Sequence, residues 1–171
     1  GRSTMRDNEK VRSIIRDAGG RIVGRTKLQK VSFFLEMAKL GDGFNFKYKH
    51  YGPFSEELAT ATEDAVALRD ISEKVYPASW GGFYSDFSLA TPEAPDGPLE
   101  RLNLAKTAAE SDSVELELAA TALFLSNEFK DPWAETARRK PEKADGNRLS
   151  KAKELYRRLY AVVPDRLPPI V

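Results

Sequence analysis

The sequence predicts a mainly helical α+β fold, and three observations carry it. Apolar residues recur at spacings of three and four through most of the chain, starting with Val11, Ile14, Ile15 and Ala18. Between Ile71 and Ala90 the period changes to two, which marks two strands. From Val114 to Leu125 apolar residues cover most of a helix's circumference, and such a helix belongs in the centre of a fold.

The elements follow in order. Gly1-Arg2-Ser3-Thr4 ahead of Met5 reads as an expression scar. A first helix runs from about Asn8 to Ala18 and stops at Gly19-Gly20, since glycine reaches the left-handed conformation that closes a helix. Arg21-Ile22-Val23 is short and β-prone. Thr26-Lys27-Leu28-Gln29 fits a capping box, with Thr26 and Gln29 exchanging side-chain and backbone bonds. The helix it opens carries Leu28, Val31, Leu35 and Ala38, with Phe34 beside them. Phe44 to Lys49 alternates apolar and polar, as in an extended segment with one buried face.

Gly52-Pro53 marks a turn. Ser55 caps a third helix, with Glu56 and Glu57 in its first turn where the dipole favours negative charge. Leu58, Ala61, Ala65 and Leu68 form its expected inner stripe. Ile71–Tyr76 and Phe83–Ala90 make a hairpin around the loop Pro77–Gly82. Pro92, Pro95, Gly97 and Pro98 form a breaker-rich connection. Asp112 then opens the all-round apolar helix. Asp131-Pro132 caps a short one that ends near Pro141, with proline at the first helical position. A last helix starts at Asn147 or Ser150 and carries Leu155, Tyr156 and Leu159 on its stripe.

Helix, short strand, helix, extended link, helix and hairpin is the order of a winged helix-turn-helix with a two-stranded wing. The expected division is a winged-helix domain over 5–91, a connecting segment over 92–111, a C-terminal three-helix subdomain over 112–163 and an extended tail over 164–171. Gly24-Arg25-Thr26-Lys27-Leu28-Gln29-Lys30-Val31, the stretch YKHYGPFSEEL from Tyr48 to Leu58, and Phe87 to Pro92 resemble the corresponding motifs of YwgA-like bacterial and archaeal proteins. In the last of these Ala90 interrupts the usual Leu-Thr pair. Leu116 to Leu125 followed by Asp131-Pro132-Trp133 resembles their helical C-terminal half. The resemblance spans nearly the whole chain and implies the fold, not an activity. A weaker one, carried by Lys27-Leu28-Gln29-Lys30 and Gly52-Pro53, runs to SocA-like antitoxin domains.

Composition narrows the chemistry. Of 171 residues 41% are apolar and 31% charged, which is globular rather than disordered. There is no cysteine, so disulfides, thiolate metal sites and cysteine nucleophiles are excluded. The single histidine, His50, excludes a multi-histidine metal site within one chain. No serine elbow, glycine-rich phosphate loop or zinc-protease motif is present. The expectation is a protein that is not an enzyme and needs no cofactor or metal. No apolar run reaches membrane-spanning length, and the charged N-terminal stretch lacks a leader pattern, so the expected location is cytoplasmic without membrane contact.

The net charge of +1 hides a pattern: residues 1–53 carry +7, residues 54–110 carry −7 and the remainder +1. The helix that would enter a major groove, after Ser55, is acidic, which is a poor match for phosphates. The basic set Arg21, Arg25, Lys27, Lys30, Lys47 and Lys49 offers another nucleic-acid face. A bland reading makes these solvated charges around a core helix. A loop cluster, Arg138, Arg139, Lys140 and Lys143, is a further basic set. The leading expectation is a regulatory protein that contacts nucleic acid. The alternative is a protein-interaction module, antitoxin-like or an adaptor, using His50, Tyr51, Glu56, Glu57 and Trp80. Trp80 at a wing tip either anchors a partner or folds back on Phe83 or Tyr84. The opposite charges of the first two segments also suit a homodimer.

Overall fold

A computed structural model describes residues 5–49 and 52–171 of the chain. It is a mixed α/β fold, about half helical, with seven helices and small antiparallel sheets among the described residues. The order is α1 (Asp7–Asp17), β1 (Arg21–Val23), α2 (Arg25–Met37), β2 (Lys47–Lys49), β3 (Gly52–Phe54), α3 (Glu56–Ala67), β4 (Ile71–Pro77), β5 (Phe83–Leu89), α4 (Leu99–Ala109), α5 (Ser113–Leu125), α6 (Pro132–Arg139) and α7 (Arg148–Val162). No helix among the described residues is long and apolar enough to cross a membrane.

Strand order in the larger sheet is β1-β5-β4, all antiparallel. Ile22 lies opposite Phe87, and both are buried, so the sheet's inner face seals the lower edge of the core. The outer half of the β4–β5 hairpin extends past the core into solvent. One continuous apolar cluster runs from Val11 on α1 to Leu167 beyond α7. Helix α5 lies at its centre and packs on α2, α6, α7 and β3.

Several caps form as their residues dictate. Ser55 Oγ accepts from the Leu58 amide, Asp112 from those of Val114 and Glu115, and Asp131 from that of Ala134. Elsewhere the structure departs from expectation. Gly24, at φ 104°, caps α2, so Thr26 sits inside the first turn and the capping box does not form. Helix α3 stops at Ala67, which leaves Leu68 62% exposed; Thr62 takes the expected fourth place in the inner stripe. Gly52-Pro53 is strand rather than bare turn: β3 pairs with β2, Tyr48 opposite Pro53. Pro53 is tolerated because a two-stranded ribbon has free edges.

The breaker-rich stretch hides α4. Its prolines end at Pro98, the N-cap, and the helix packs on α1, α2 and α7. The reason it holds is a buried guanidinium. Arg101 donates to Asp17 Oδ2 (2.7 Å), Ser13 Oγ (3.0 Å), Asp42 Oδ2 (3.2 Å) and the Leu40 carbonyl (2.8 Å). Asp17 also accepts from the Asp96 and Gly97 amides at 3.0 and 3.3 Å. A Cβ on Gly97 would lie 2.6 Å from the Asp17 carboxylate, so glycine is what lets the backbone close on it.

Candidate functional site

The stretches Leu28-Gln29-Lys30 and Gly52-Pro53-Phe54-Ser55 form one clasp. The Gln29 side chain donates to the Ser55 carbonyl and accepts the Ser55 amide, both at 2.9 Å and both buried. Lys30 Nζ donates to the Pro53 carbonyl at 2.9 Å. Gly52 lies against α5, where an added Cβ would approach Thr121 Oγ1 to 3.0 Å. Three backbone groups at the junction of β3 and α3, the Pro53 carbonyl and the Ser55 amide and carbonyl, are thus held by α2, and the start of α3 is fixed by the same contacts. Each buried amide and carbonyl needs such a partner, which is the physical content of the motif.

A charged cluster continues from the clasp. Lys30 is only 3% exposed. Burial pushes its ammonium down to about 8; Glu117 opposes the shift, while Lys140 and Lys143 add to it. Glu117, on the central helix, accepts from Lys140 (3.0 Å) and Lys143 (2.6 Å). Burial would raise its carboxyl, but those two lysines hold it below the usual range. Beside the cluster is a cavity of about 350 Å³, walled by α2, β3, α3 and α5. Its lining includes Lys30, Glu117 and Lys143 together with Leu28, Phe54 and Ala59.

The buried lysine gives stability a defined pH dependence. Lys30 titrates near 8 when folded and 10.5 when unfolded, so between these values the unfolded chain binds more protons. Stability therefore rises with pH across that window, by about 2 kcal/mol from pH 8 to 10. Lys27 and Lys140, both lowered by burial, act in the same direction. Above pH 10 Tyr156, raised by burial, opposes them. Urea denaturation from pH 8 to 10 should show the rise, and Lys30→Met should remove most of it.

The predicted basic face is largely occupied. Arg21 pairs with Asp86 at 2.8 Å and Arg25 with Glu73 at 2.7 Å. Lys27 donates to the Ser111 carbonyl at 2.6 Å, Lys30 points inward, and Lys49 pairs with Glu56. Lys30 is thus corrected from a surface charge to a buried one. Its position on α2, beside Gln29, faces the clasp. Lys47 alone of the six is exposed without an ion pair among the described residues. The opposite charges of the first two segments meet within one chain: besides these pairs, Arg12 and Arg16 reach Glu93 at 3.9 and 3.8 Å. Charge complementarity therefore gives no separate argument for a homodimer.

The other candidates fare differently. His50 and Tyr51 lie outside the described residues. Glu56 and Glu57 are exposed on α3, and Glu57 accepts from the Asn45 amide at 3.0 Å. Trp80 is 74% exposed, with its ring lying over Gly82, where a Cβ would clash with it. Phe83 is 70% exposed, and Val75, Tyr76 and Tyr84 are exposed beside it. Tyr76 and Tyr84 face each other across the strands and stack at 5.6 Å.

Sequence reasoning missed Glu117 and read its partners Lys140 and Lys143 as part of a loop basic set. The available signal was a lone carboxylate in an otherwise apolar helix, which must find a cation if buried. Of the expected loop cluster, Arg138 and Arg139 lie on the last turn of α6, where both bond Glu135, and Arg139 lies 4.9 Å over the Tyr48 ring. No group of three or more histidines or carboxylates among the described residues is placed to hold a metal. In comparisons with known proteins no family model matches the chain, and neither a curated protein nor a solved structure matches it.

Proposed function

We propose that the chain is a non-enzymatic winged-helix module that binds a protein partner through its wing and the outer face of α3. The element order and the pairing of β1 with β5 support the winged-helix reading, since a short first strand completing the hairpin sheet belongs to that architecture. One observation carries the functional reading: Val75, Tyr76, Trp80, Phe83 and Tyr84 are exposed together on one projecting hairpin. Tyr76 and Tyr84 lie on one face of the hairpin and Val75 and Phe83 on the other, and exposed aromatic anchors of this kind dominate binding energy. The cross-strand tyrosine stack stiffens the hairpin, so little conformational freedom is lost on docking.

The outer face of α3 adds charge. Glu56, Glu57, Glu63 and Asp64 are exposed there, and the last two make no ion pair among the described residues. A partner surface with an apolar centre and a basic rim matches this combination. The nucleic-acid reading has less support, because five of its six basic residues already have partners.

The test is comparative cross-linking and pull-down with the wild type and the Trp80→Ser/Phe83→Ser variant. A specific partner should be retained by the wild type and lost by the variant. Its thermal midpoint should stay within about 2 °C, because exposed substitutions cost within about 0.5 kcal/mol. Glu63→Lys/Asp64→Lys should weaken the same complex. An unchanged partner set would overturn the wing as the site. Salt-sensitive binding to mixed duplex DNA that falls on charge reversal at Lys47 and Arg25 would return the function to nucleic acid.

A further inference from the structure

We propose that Lys30 forms a reversible imine with a small apolar aldehyde held in the cavity between α2, β3, α3 and α5. Lys30 lines that cavity, whose volume of about 350 Å³ lies at the small end of the range for ligand pockets. Leu28, Phe54 and Ala59 line the same space, which suits a short apolar body. Arg25 and Thr26 are exposed on the lining, so the cavity opens to solvent at the start of α2.

An amine attacks a carbonyl only in its neutral form, through its lone pair. The hydrogen-bond geometry leaves that lone pair available. Lys30 Nζ donates to a single acceptor among the described residues, the Pro53 carbonyl, so the bond orients the amine while using one hydrogen. Burial supplies the neutral form. It lowers the ammonium to about 8, with Glu117 opposing the shift and Lys140 and Lys143 adding to it. About a tenth of Lys30 is then neutral at pH 7, roughly 300 times the fraction for an unperturbed lysine.

The reaction balances within the site. The ammonium gives one proton to water, and the nitrogen lone pair forms the bond to the carbonyl carbon. The aldehyde oxygen leaves as water with the two remaining amine hydrogens, and the imine nitrogen takes one proton back. The protonated imine keeps the single positive charge that Glu117 faces, and it keeps one N–H for the Pro53 carbonyl. No new charge is buried, so the adduct fits the surroundings that already hold the ammonium.

The probe is benzaldehyde, added to the full chain with cyanoborohydride, whose hydride adds to the imine carbon and fixes the adduct as a secondary amine. Peptide mass mapping reads the labelling rate at each lysine, with exposed Lys47 and Lys106 as references. At pH 7 Lys30 should react at least about tenfold faster than either, a small part of its advantage in neutral amine. Its rate should saturate with benzaldehyde concentration, because binding precedes reaction, whereas the reference rates stay linear. Benzyl alcohol, of similar shape but without a carbonyl, should slow Lys30 alone. The ratio of Lys30 to reference rates should fall above pH 8, where Lys30 is already neutral and the references are still losing protons. The proposal is overturned if Lys30 reacts no faster than the references, if its rate is linear in benzaldehyde, if benzyl alcohol slows all three lysines alike, or if the ratio holds from pH 8 to about 9.5. The wing pull-down reads a separate surface and is independent of this result.

Discussion

Arg101→Ala is expected to lower the stability of the fold by about 3–5 kcal/mol, the usual cost of removing one partner of a buried ion pair. The arginine lies in the interior and joins three segments: α1 through Ser13 and Asp17, the loop after α2 through the Leu40 carbonyl and Asp42, and its own helix α4. Its loss leaves Asp17 buried with Arg16 and two backbone amides as its remaining donors. Urea denaturation reads the effect directly. A loss below about 1 kcal/mol would mean that water replaces the guanidinium at no great cost.

Arg101→Lys should rescue little, because a point ammonium cannot span acceptors that the planar fork reaches together. The same site sets an acid limit. Burial would raise the Asp17 carboxyl, but hydrogen bonds from Arg16, Asp96 and Arg101 hold it below 3.8. Its contribution is therefore complete above the unfolded value and is lost as pH falls through the folded one.

Gln29→Leu is expected to cost about 1–3 kcal/mol, because it leaves the Ser55 amide buried and unbonded, while the Ser55 carbonyl keeps only the Ala59 amide, at 3.1 Å. Leucine fits the volume, so the loss reports hydrogen bonding rather than a cavity. The Ser55 hydroxyl still caps α3 in this variant, and Ser55→Ala should add a separate loss of about 1 kcal/mol. Hydrogen exchange at Ser55 and Leu58 should speed up in Gln29→Leu more than exchange in α7, since the clasp is local to α2 and α3. Uniform acceleration across all helices would show instead that the clasp opens only with global unfolding.

Patterns that depend on near neighbours along the chain were legible in the sequence. The inner face of α1, the apolar circumference of α5, the cap residues Ser55, Asp112 and Asp131, and the β4–β5 pairing all follow from spacing and local bonding, which one strand of sequence contains. Trp80 was legible as a hairpin-loop residue because the glycines and proline around it mark the turn. Its neighbour Phe83 was not singled out, because alternation alone does not say how far a hairpin outruns its core.

What depended on distant residues was not legible. Gln29 reads as half of a capping box, yet Gly24 starts the helix two residues earlier and frees the amide for Ser55 across 26 positions. Lys30 reads as one of a surface set, but its helix face meets β3, and the Pro53 carbonyl draws the ammonium inward. Helix α4 was hidden because Arg101 is a poor core residue until Asp17 and Asp42 are brought to it. The sequence by itself determined the elements, their order and the sign of each segment's charge. Tertiary structure alone decided which charges are buried, which are paired and where a cavity remains. Those outcomes are set by electrostatic and hydrogen-bonding partners that meet only after the chain has closed on itself.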